Sequence, residues 1–360
     1  MKIVFCGGGT GGHITPMLAM ADILRQNGEK AEVFFIGRRG GKENEAIRRA
    51  GFEPYEIEVT GLSRSLSPSN IGAVLRALSA RREAKAILKS IAPDAVVGTG
   101  GYVAWPVLSA AKSLGIRRAI HESNAVPGLV TRLCCRSVDL VMLGYGEAEK
   151  RLPRCSCAVT GNPVRGAVGR VSRSRARAAL GIGEEKTVVL SFGGSLGAEA
   201  INRAMCEAIR LDGGKSGILF IHATGRRDYE KYKALGGENA RIIPYVEDMP
   251  TYLAAADIAV TRCGAMTLAE LEAAGVPSIL IPSPNVTANH QYENARALCE
   301  CGAAVMITEA ELSAEALYRE ILALKKTRAK REKMRAALYG RGGRCDGKIH
   351  AALRTLLSEK

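Results

Sequence analysis

The chain has 360 residues, 47% of them apolar and 24% charged, with 40 glycines against 13 prolines. That length suits about two domains, and the composition excludes disordered, collagenous and coiled-coil chains. A net charge of +15 asks for an anionic partner without saying whether it is nucleic acid, a phosphorylated substrate or an acidic membrane.

Lys2 to Cys6 is a short apolar run that stops at glycines, and the glycines and His13 interrupt any signal-peptide core, so it reads as a strand of the mature protein. Ile14 to Gln26 puts Met17, Leu18, Ala21 and Leu24 on one helical face, with Thr15 as the expected N-cap and Pro16 in the first turn. Ala31 to Gly37 is apolar without alternation, as a strand covered on both faces must be. Ile71 to Ile91 reads as a basic amphipathic helix. The alternation recurs at Ala95 to Val97, Val107 to Leu114, Arg118 to His121 and Leu140 to Leu143, so the first half is an open parallel sheet with helices on both sides. The longest uncharged stretch, Ala95 to Ala111, is too short to span a bilayer and carries Pro106.

The chain breaks at Gly161-Asn162-Pro163-Val164-Arg165, and Arg170 to Arg177 is basic and poorly apolar. We therefore expect domains at 1–163 and 164–344, with 345–360 packing back on the first. The second half repeats the α/β alternation from Thr187 to Ile281, while Lys325 to Arg335 reads as a solvated helix face and Ile349 to Leu357 as an amphipathic segment that docks on a domain. The ten cysteines form no CxxC pair backed by a second pair or by histidines, which favours reduced thiols over a zinc site.

Gly7, Gly9 and Gly12 satisfy GxGxxG between a strand and a helix, yet Ile36-Gly37 leads to Arg38-Arg39 where a dinucleotide fold needs a ribose carboxylate. Glycine loops also recur at Gly98-Thr99-Gly100-Gly101 and Gly193-Gly194-Ser195-Leu196-Gly197. Each joins a strand end to a helix start, where unpaired amides and the helix dipole favour phosphate oxygens. Three such loops suggest two phosphorylated ligands facing each other across a cleft. With no DxD sequence, the charge of a diphosphate falls to helix dipoles, hydroxyls and arginine, and no metal or cofactor is expected. Glu270, which follows Thr261-Arg262-Cys263-Gly264 at the start of a helix, either accepts from the two hydroxyls of a ribose or complements the helix dipole.

Gly8-Gly9-Thr10-Gly11-Gly12-His13, Gly98-Thr99-Gly100-Gly101-Tyr102, His121-Glu122-Ser123-Asn124 with Pro127-Gly128, Gly161 to Arg165, Gly193 to Ala198 and His290-Gln291-Tyr292 together resemble the MurG family, in order and at its spacing to about residue 310. These bacterial enzymes add N-acetylglucosamine to lipid I in peptidoglycan synthesis. The resemblance implies a GT-B fold of two Rossmann-like domains with parallel sheets facing a cleft. It also implies that the first domain takes the undecaprenyl-linked acceptor and meets the membrane, while the second takes UDP-N-acetylglucosamine. Carried over by position, the donor contacts are Thr10, Gly11, Gly12, Asn124, Arg165, Ser195, Val246, Ala265, Met266, Thr267, Leu268, Ala269, Glu270 and Gln291, while Gly9, Gly100, Gly101 and Tyr102 meet the acceptor diphosphate. Cys263 stands where the family usually has serine, Ser123 where glutamine is common and Val246 where isoleucine is frequent.

An α-linked donor giving a β-linked product implies a single in-line displacement. His13 is then the candidate base, although the same imidazole could bind the acceptor diphosphate or orient its loop. His121 and His290 sit beside motif residues, and His222 and His350 read as structural. Rival readings are a UDP-sugar epimerase or another GT-B glycosyltransferase. A nucleic-acid binder lacks its aromatic platforms, Trp105 being the sole tryptophan. The implied location is peripheral, on the cytoplasmic face of the cell membrane. The expected docking surface joins Val74, Leu75, Leu78, Ile87, Leu88 and Ile91 to Arg76, Arg81, Arg82, Lys85 and Lys89, with Arg117 and Arg118 beside them.

Overall fold

The computed structural model describes residues 1–60, 69–194, 197–341 and 344–358. It comprises two compact units, Met1–Arg165 with Cys345–Lys360, and Gly166–Arg344. In the first, β1 (Lys2–Cys6), β2 (Glu32–Arg38), β3 (Tyr55–Ile57), β4 (Ala95–Gly98), β5 (Arg117–Glu122), β6 (Leu140–Leu143) and β7 (Cys157–Val159) form one parallel sheet of order β3-β2-β1-β4-β5-β6-β7. The helices between them are α1 (Gly11–Gln26), α2 (Lys42–Arg49), α3 (Ser69–Ile91), α4 (Gly101–Ser113) and α5 (Leu129–Cys134). The continuous apolar run of β1 follows from this layering. Ile3 and Phe5 pack with Met17, Met20 and Leu24 of α1, whereas Val4 and Cys6 pack on the other face with Ala84 and Leu88 of α3 and Val107 of α4.

Helix α1 begins at Gly11 rather than at the expected Thr15 cap, with Thr10 at the N-cap and Pro16 inside the helix. Pro16 has no N–H for the Gly12 carbonyl, but the helix runs through because Met17, Leu18, Met20, Ala21 and Leu24 are all buried beneath it. Helix α4 carries Pro106 at the same distance from its start. In α3, Ala80, Ala84, Leu88 and Ile91 face the core, so Leu88 and Ile91 belong to the interior and not to an outward docking stripe. Leu78 is exposed, and the side chains of Val74 and Leu75 lie outside the described residues.

In the second unit, β8 (Thr187–Phe192), β9 (Ile218–Ala223), β10 (Ala240–Ile243), β11 (Ile258–Thr261), β12 (Ser278–Leu280) and β13 (Ala304–Met306) form a parallel sheet of order β10-β9-β8-β11-β12-β13. Its helices are α6 (Arg173–Ala179), α7 (Glu199–Asp212), α8 (Tyr229–Tyr232), α9 (Met249–Ala255), α10 (Ala265–Ala274), α11 (His290–Glu300), α12 (Ala314–Lys326) and α13 (Arg328–Arg341). A last helix, α14 (Asp346–Ser358), returns to the first unit. There it buries Ile349, Leu353 and Leu356, receives a 2.7 Å hydrogen bond from Arg117 Nη1 at the Leu356 carbonyl, and sets His350 Nε2 3.0 Å from Glu29 Oε1.

Two basic stretches are largely exposed, yet each turns arginines to backbone carbonyls. The end of Arg170 to Arg177 is helix α6, capped by Ser172, and Arg177 is wholly buried. Its Nη2 lies 2.8 Å from Asp257 Oδ2, and its Nη1 donates to the carbonyls of Gly183, Glu184 and Lys186. Asp257 also accepts from the Val188 amide at 2.8 Å, which locks the start of β8 to the start of β11. Between Lys325 and Arg335 two helices meet at Thr327, and Arg331 donates to the Leu324 and Lys325 carbonyls while Arg335 Nε donates to the Gly275 carbonyl. Replacing Arg177 by methionine leaves Asp257 with Arg173, whose Nη2 lies 2.8 Å from Oδ1, and with the Val188 amide, but strips three carbonyls of their donor, and we expect a loss of about 1–3 kcal/mol in the stability of the second unit, read from urea unfolding monitored by circular dichroism.

Candidate functional site

Strand order reverses between β1 and β4 in the first sheet and between β8 and β11 in the second. Loops leaving two such neighbours diverge to opposite faces and open a crevice at the carboxyl ends of the strands, the usual ligand position of an open parallel sheet. The first crevice lies between Gly7–Gly12 and Thr99–Gly101, and the second at the carboxyl ends of β8 and β11, beside Arg262–Gly264. The first two glycine motifs thus pair off by topology, and the segment Thr261 to Gly264, poor in glycine, takes the corresponding place in the second unit.

The first pair of loops packs backbone on backbone. A Cβ on Gly101, whose φ is +72°, would run into the Gly8 carbonyl oxygen, and one on Gly100 would fall 2.9 Å from the His13 ring. A Cβ on Gly9 would press the Tyr102 ring at 3.0 Å. Glycine at 9, 100 and 101 is therefore already demanded by contacts within the protein. Gly11 and Gly12, by contrast, open the 16-residue helix α1 with no neighbour crowding Gly11, and Thr10 makes no side-chain hydrogen bond to the helix amides. These amides are the part of the loop built to receive an anion.

His13 is half-buried between the two loops. Its Nδ1 lies 3.0 Å from the Gly8 carbonyl oxygen and 3.1 Å from Thr10 Oγ1. A carbonyl can only accept, so the proton is assigned to Nδ1 and Nε2 becomes the basic nitrogen. Thr99 is buried and donates its hydroxyl to the His13 carbonyl at 2.6 Å and its amide to the Cys6 carbonyl at 2.9 Å.

Asn124 is held by Glu122, a buried carboxylate with four donors. Oε1 accepts from the Asn124 amide at 3.0 Å and from its Nδ2 at 3.2 Å, while Oε2 accepts from the Gly128 amide at 2.9 Å and from Thr131 Oγ1 at 2.6 Å. His121 beside it bonds the Gly161 carbonyl through Nε2, and burial pushes its pKa down. Arg165 sets Nε 3.5 Å from Asp22 of α1 and falls in the first unit, at its boundary.

In the second unit, Ser195 lies outside the described residues. Gln291 spends its carboxamide oxygen on two backbone amides, Cys263 at 3.2 Å and Ser283 at 2.9 Å, which ties the ends of β11 and β12 together and leaves its NH2 as the group to offer a ligand. Cys263 is buried, and burial pushes its thiol well above the usual range, so it contributes a backbone amide and no hydroxyl-like donor. Val246 is 3% exposed and Ala265, Met266 and Ala269 are buried, which leaves them backbone roles. Leu268 faces the core, and its amide already bonds the Gly264 carbonyl at 3.0 Å. Arg262, unremarked in the sequence, braces the same loops through the Ile281 and Pro282 carbonyls and Glu309.

Of the polar groups on the first turns of α10, Thr267 and Glu270 remain partly exposed. Glu270 is in the second turn, past the reach of the helix dipole, which removes the dipole-complement reading. Burial alone pushes its carboxyl up to about 7. Among the described residues no ion pair reaches it, so its oxygens can accept from water or from ligand hydroxyls.

Two doubly wound sheets, each with a helix amino end and polar groups at its switch point, define a nucleotide-sugar type of α/β protein. Residues 3–143 match the glycosyltransferase family 28 N-terminal domain and residues 188–343 the family's C-terminal domain. The chain is 44% identical over 339 residues, 93% of its own length and 92% of the relative's, to a UDP-N-acetylglucosamine–N-acetylmuramyl-(pentapeptide) pyrophosphoryl-undecaprenol N-acetylglucosamine transferase of Acetivibrio thermocellus. It is 43% identical over 326 residues, 89% of either chain, to the enzyme of that name from Bacillus licheniformis. The crystal structure of MurG from Acinetobacter baumannii superposes with a TM-score of 0.78 at 27% identity, covering 99% of each chain. The chain therefore belongs to glycosyltransferase family 28 and, within it, to the family of these N-acetylglucosamine transferases. A UDP-N-acetylglucosamine 2-epimerase from Listeria monocytogenes shares the fold, with a TM-score of 0.71 at 17% identity over 100% of this chain and 97% of that one.

The Glu270 environment has a consequence for stability. A carboxyl whose pKa is raised on folding favours the fold most below its unfolded value of 4.5, and that contribution is lost as pH rises to about 7. We expect Glu270→Gln to leave stability unchanged near pH 4 and to raise it by about 1–2 kcal/mol above pH 7, measured by urea unfolding across that range.

Proposed function

We propose that this chain is an inverting glycosyltransferase that moves N-acetylglucosamine from UDP-N-acetylglucosamine to the C4 hydroxyl of the muramyl sugar of lipid I, giving lipid II for the cell wall. The observation that carries the reading is 44% identity along 93% of the chain to an enzyme bearing that name. Geometry supplies the roles. The muramyl hydroxyl attacks the anomeric carbon, its proton passes to His13 Nε2, and the bond from that carbon to the diphosphate breaks as UDP leaves. The leaving charge falls on helix-opening amides and Arg165, and Glu270 holds the ribose hydroxyls in the ground state.

The test is transfer from labelled UDP-N-acetylglucosamine to a lipid I analogue, with EDTA present and absent. We expect transfer in both conditions. His13→Ala should lower turnover by about a hundredfold with donor affinity unchanged, and Glu270→Ala should weaken UDP binding itself. Epimerised donor formed without acceptor, and no transfer, would overturn the assignment.

The acceptor's lipid places the protein, in this reading, peripherally on the anionic cytoplasmic face of the membrane, and no described helix is long and apolar enough to cross it. With Leu88 and Ile91 turned inward, attraction rests on the charges of α3, at about 1 kcal/mol for each basic residue near the surface. Arg81→Glu with Arg82→Glu and Lys85→Glu should abolish co-sedimentation with phosphatidylglycerol vesicles at low salt. Undiminished binding of the folded triple variant would move the docking surface elsewhere.

A further inference from the structure

We infer that Thr99 is a positioning residue for His13, so that the second glycine loop serves to fix the histidine that the first loop carries. The inference rests on the transferase reading for its kinetic consequence and on geometry alone for its structural one. His13 is gripped at three points. Its carbonyl takes the Thr99 hydroxyl at 2.6 Å, its Nδ1 faces the Gly8 carbonyl at 3.0 Å, and its ring lies against Gly100 with no space for a Cβ. The hydroxyl itself fills the space beside Gly7, where a Cβ would collide with Thr99 Oγ1, so the fit is mutual. Thr99 is 2% exposed, and its hydroxyl prefers the His13 carbonyl at 2.6 Å to its other acceptor, the Cys6 carbonyl at 3.5 Å.

The hydrogen bond matters because of where it lands. A helical carbonyl ordinarily accepts from the amide four residues on, and in α1 the residue four beyond Gly12 is Pro16. The turn that carries His13 is thus short of one internal hydrogen bond, and the cross-loop bond from Thr99 arrives one residue later. Without it the Nδ1 contact to Gly8 loosens, the imidazole exchanges tautomers, and Nε2 is no longer held as the basic nitrogen. Thr99 touches no reacting atom in this scheme and acts only through His13.

The experiment uses the full chain with Thr99→Val, Thr99→Ala and Thr99→Ser. Side-chain 15N spectra report the tautomer, with the His13 signals assigned by their loss in His13→Asn. We expect wild type and Thr99→Ser to show the Nδ1-protonated form, and Thr99→Val and Thr99→Ala to show a mixture. Turnover should fall about tenfold in the last two, with the KM for UDP-N-acetylglucosamine within about twofold of wild type and the acidic limb of the pH profile displaced. Wild-type spectra and turnover in both Thr99→Val and Thr99→Ala would overturn the inference, as would an equal loss in Thr99→Ser. Should Thr99→Val fail to fold, Thr99→Ala decides alone. A wild-type protein that transfers no sugar, with tautomers still shifting in the variants, would sink the transferase reading and leave the positioning role standing.

Discussion

The first unit's site depends on a backbone contact: the Gly8 carbonyl and the Cα of Gly101 meet with no room for a methyl group. Parallel strands β1 and β4 are hydrogen-bonded neighbours, so the loops that follow them must leave within one strand spacing of each other. Only residues without side chains let two chain segments pass that closely. Once they do, the Gly8 carbonyl lies where a histidine one turn later can donate to it, and ring orientation, tautomer and helix start follow from one steric condition.

Two carboxylates show how burial is put to opposite uses. Glu122 satisfies its oxygens four times over within its own loop and becomes a fixed strut under Asn124. Glu270 is left with burial and little else, which pushes its carboxyl up to about 7. The first arrangement stabilises the fold, while the second costs stability once the carboxyl ionises. The same division runs through the cations. The chain's +15 charge reads as a surface property, yet Arg117, Arg177, Arg262, Arg331 and Arg335 all spend guanidinium donors on backbone carbonyls.

The parallel sheets and their order of elements were legible because fully covered strands leave continuous apolar runs between helical faces, as at Lys2 to Cys6 and Ala31 to Gly37. The edge strands β3 and β7 were not, since three residues are too few to show a period. The buried role of Arg177 was not legible because composition cannot reveal that one arginine of a basic stretch meets Asp257, eighty residues away. At the site, His13 and Glu270 stood out by chemistry. Thr99 and Arg262 did not, because their work is done through backbone carbonyls that any sequence possesses.

Helix α14 gives the first unit a core drawn from both ends of the described chain, with Ile349, Leu353 and Leu356 packed among Met17, Met20 and Leu24. The second unit is continuous from Gly166 to Arg344. During synthesis the later unit therefore has all of its residues before the earlier one does, and the nascent first unit must wait, with one face of α1, β5 and β6 uncovered, through the translation of some 180 further residues at roughly 5–20 per second. For that interval of about ten to forty seconds an apolar face waits for its cover, and the order of maturation along the ribosome runs opposite to the order of the sequence.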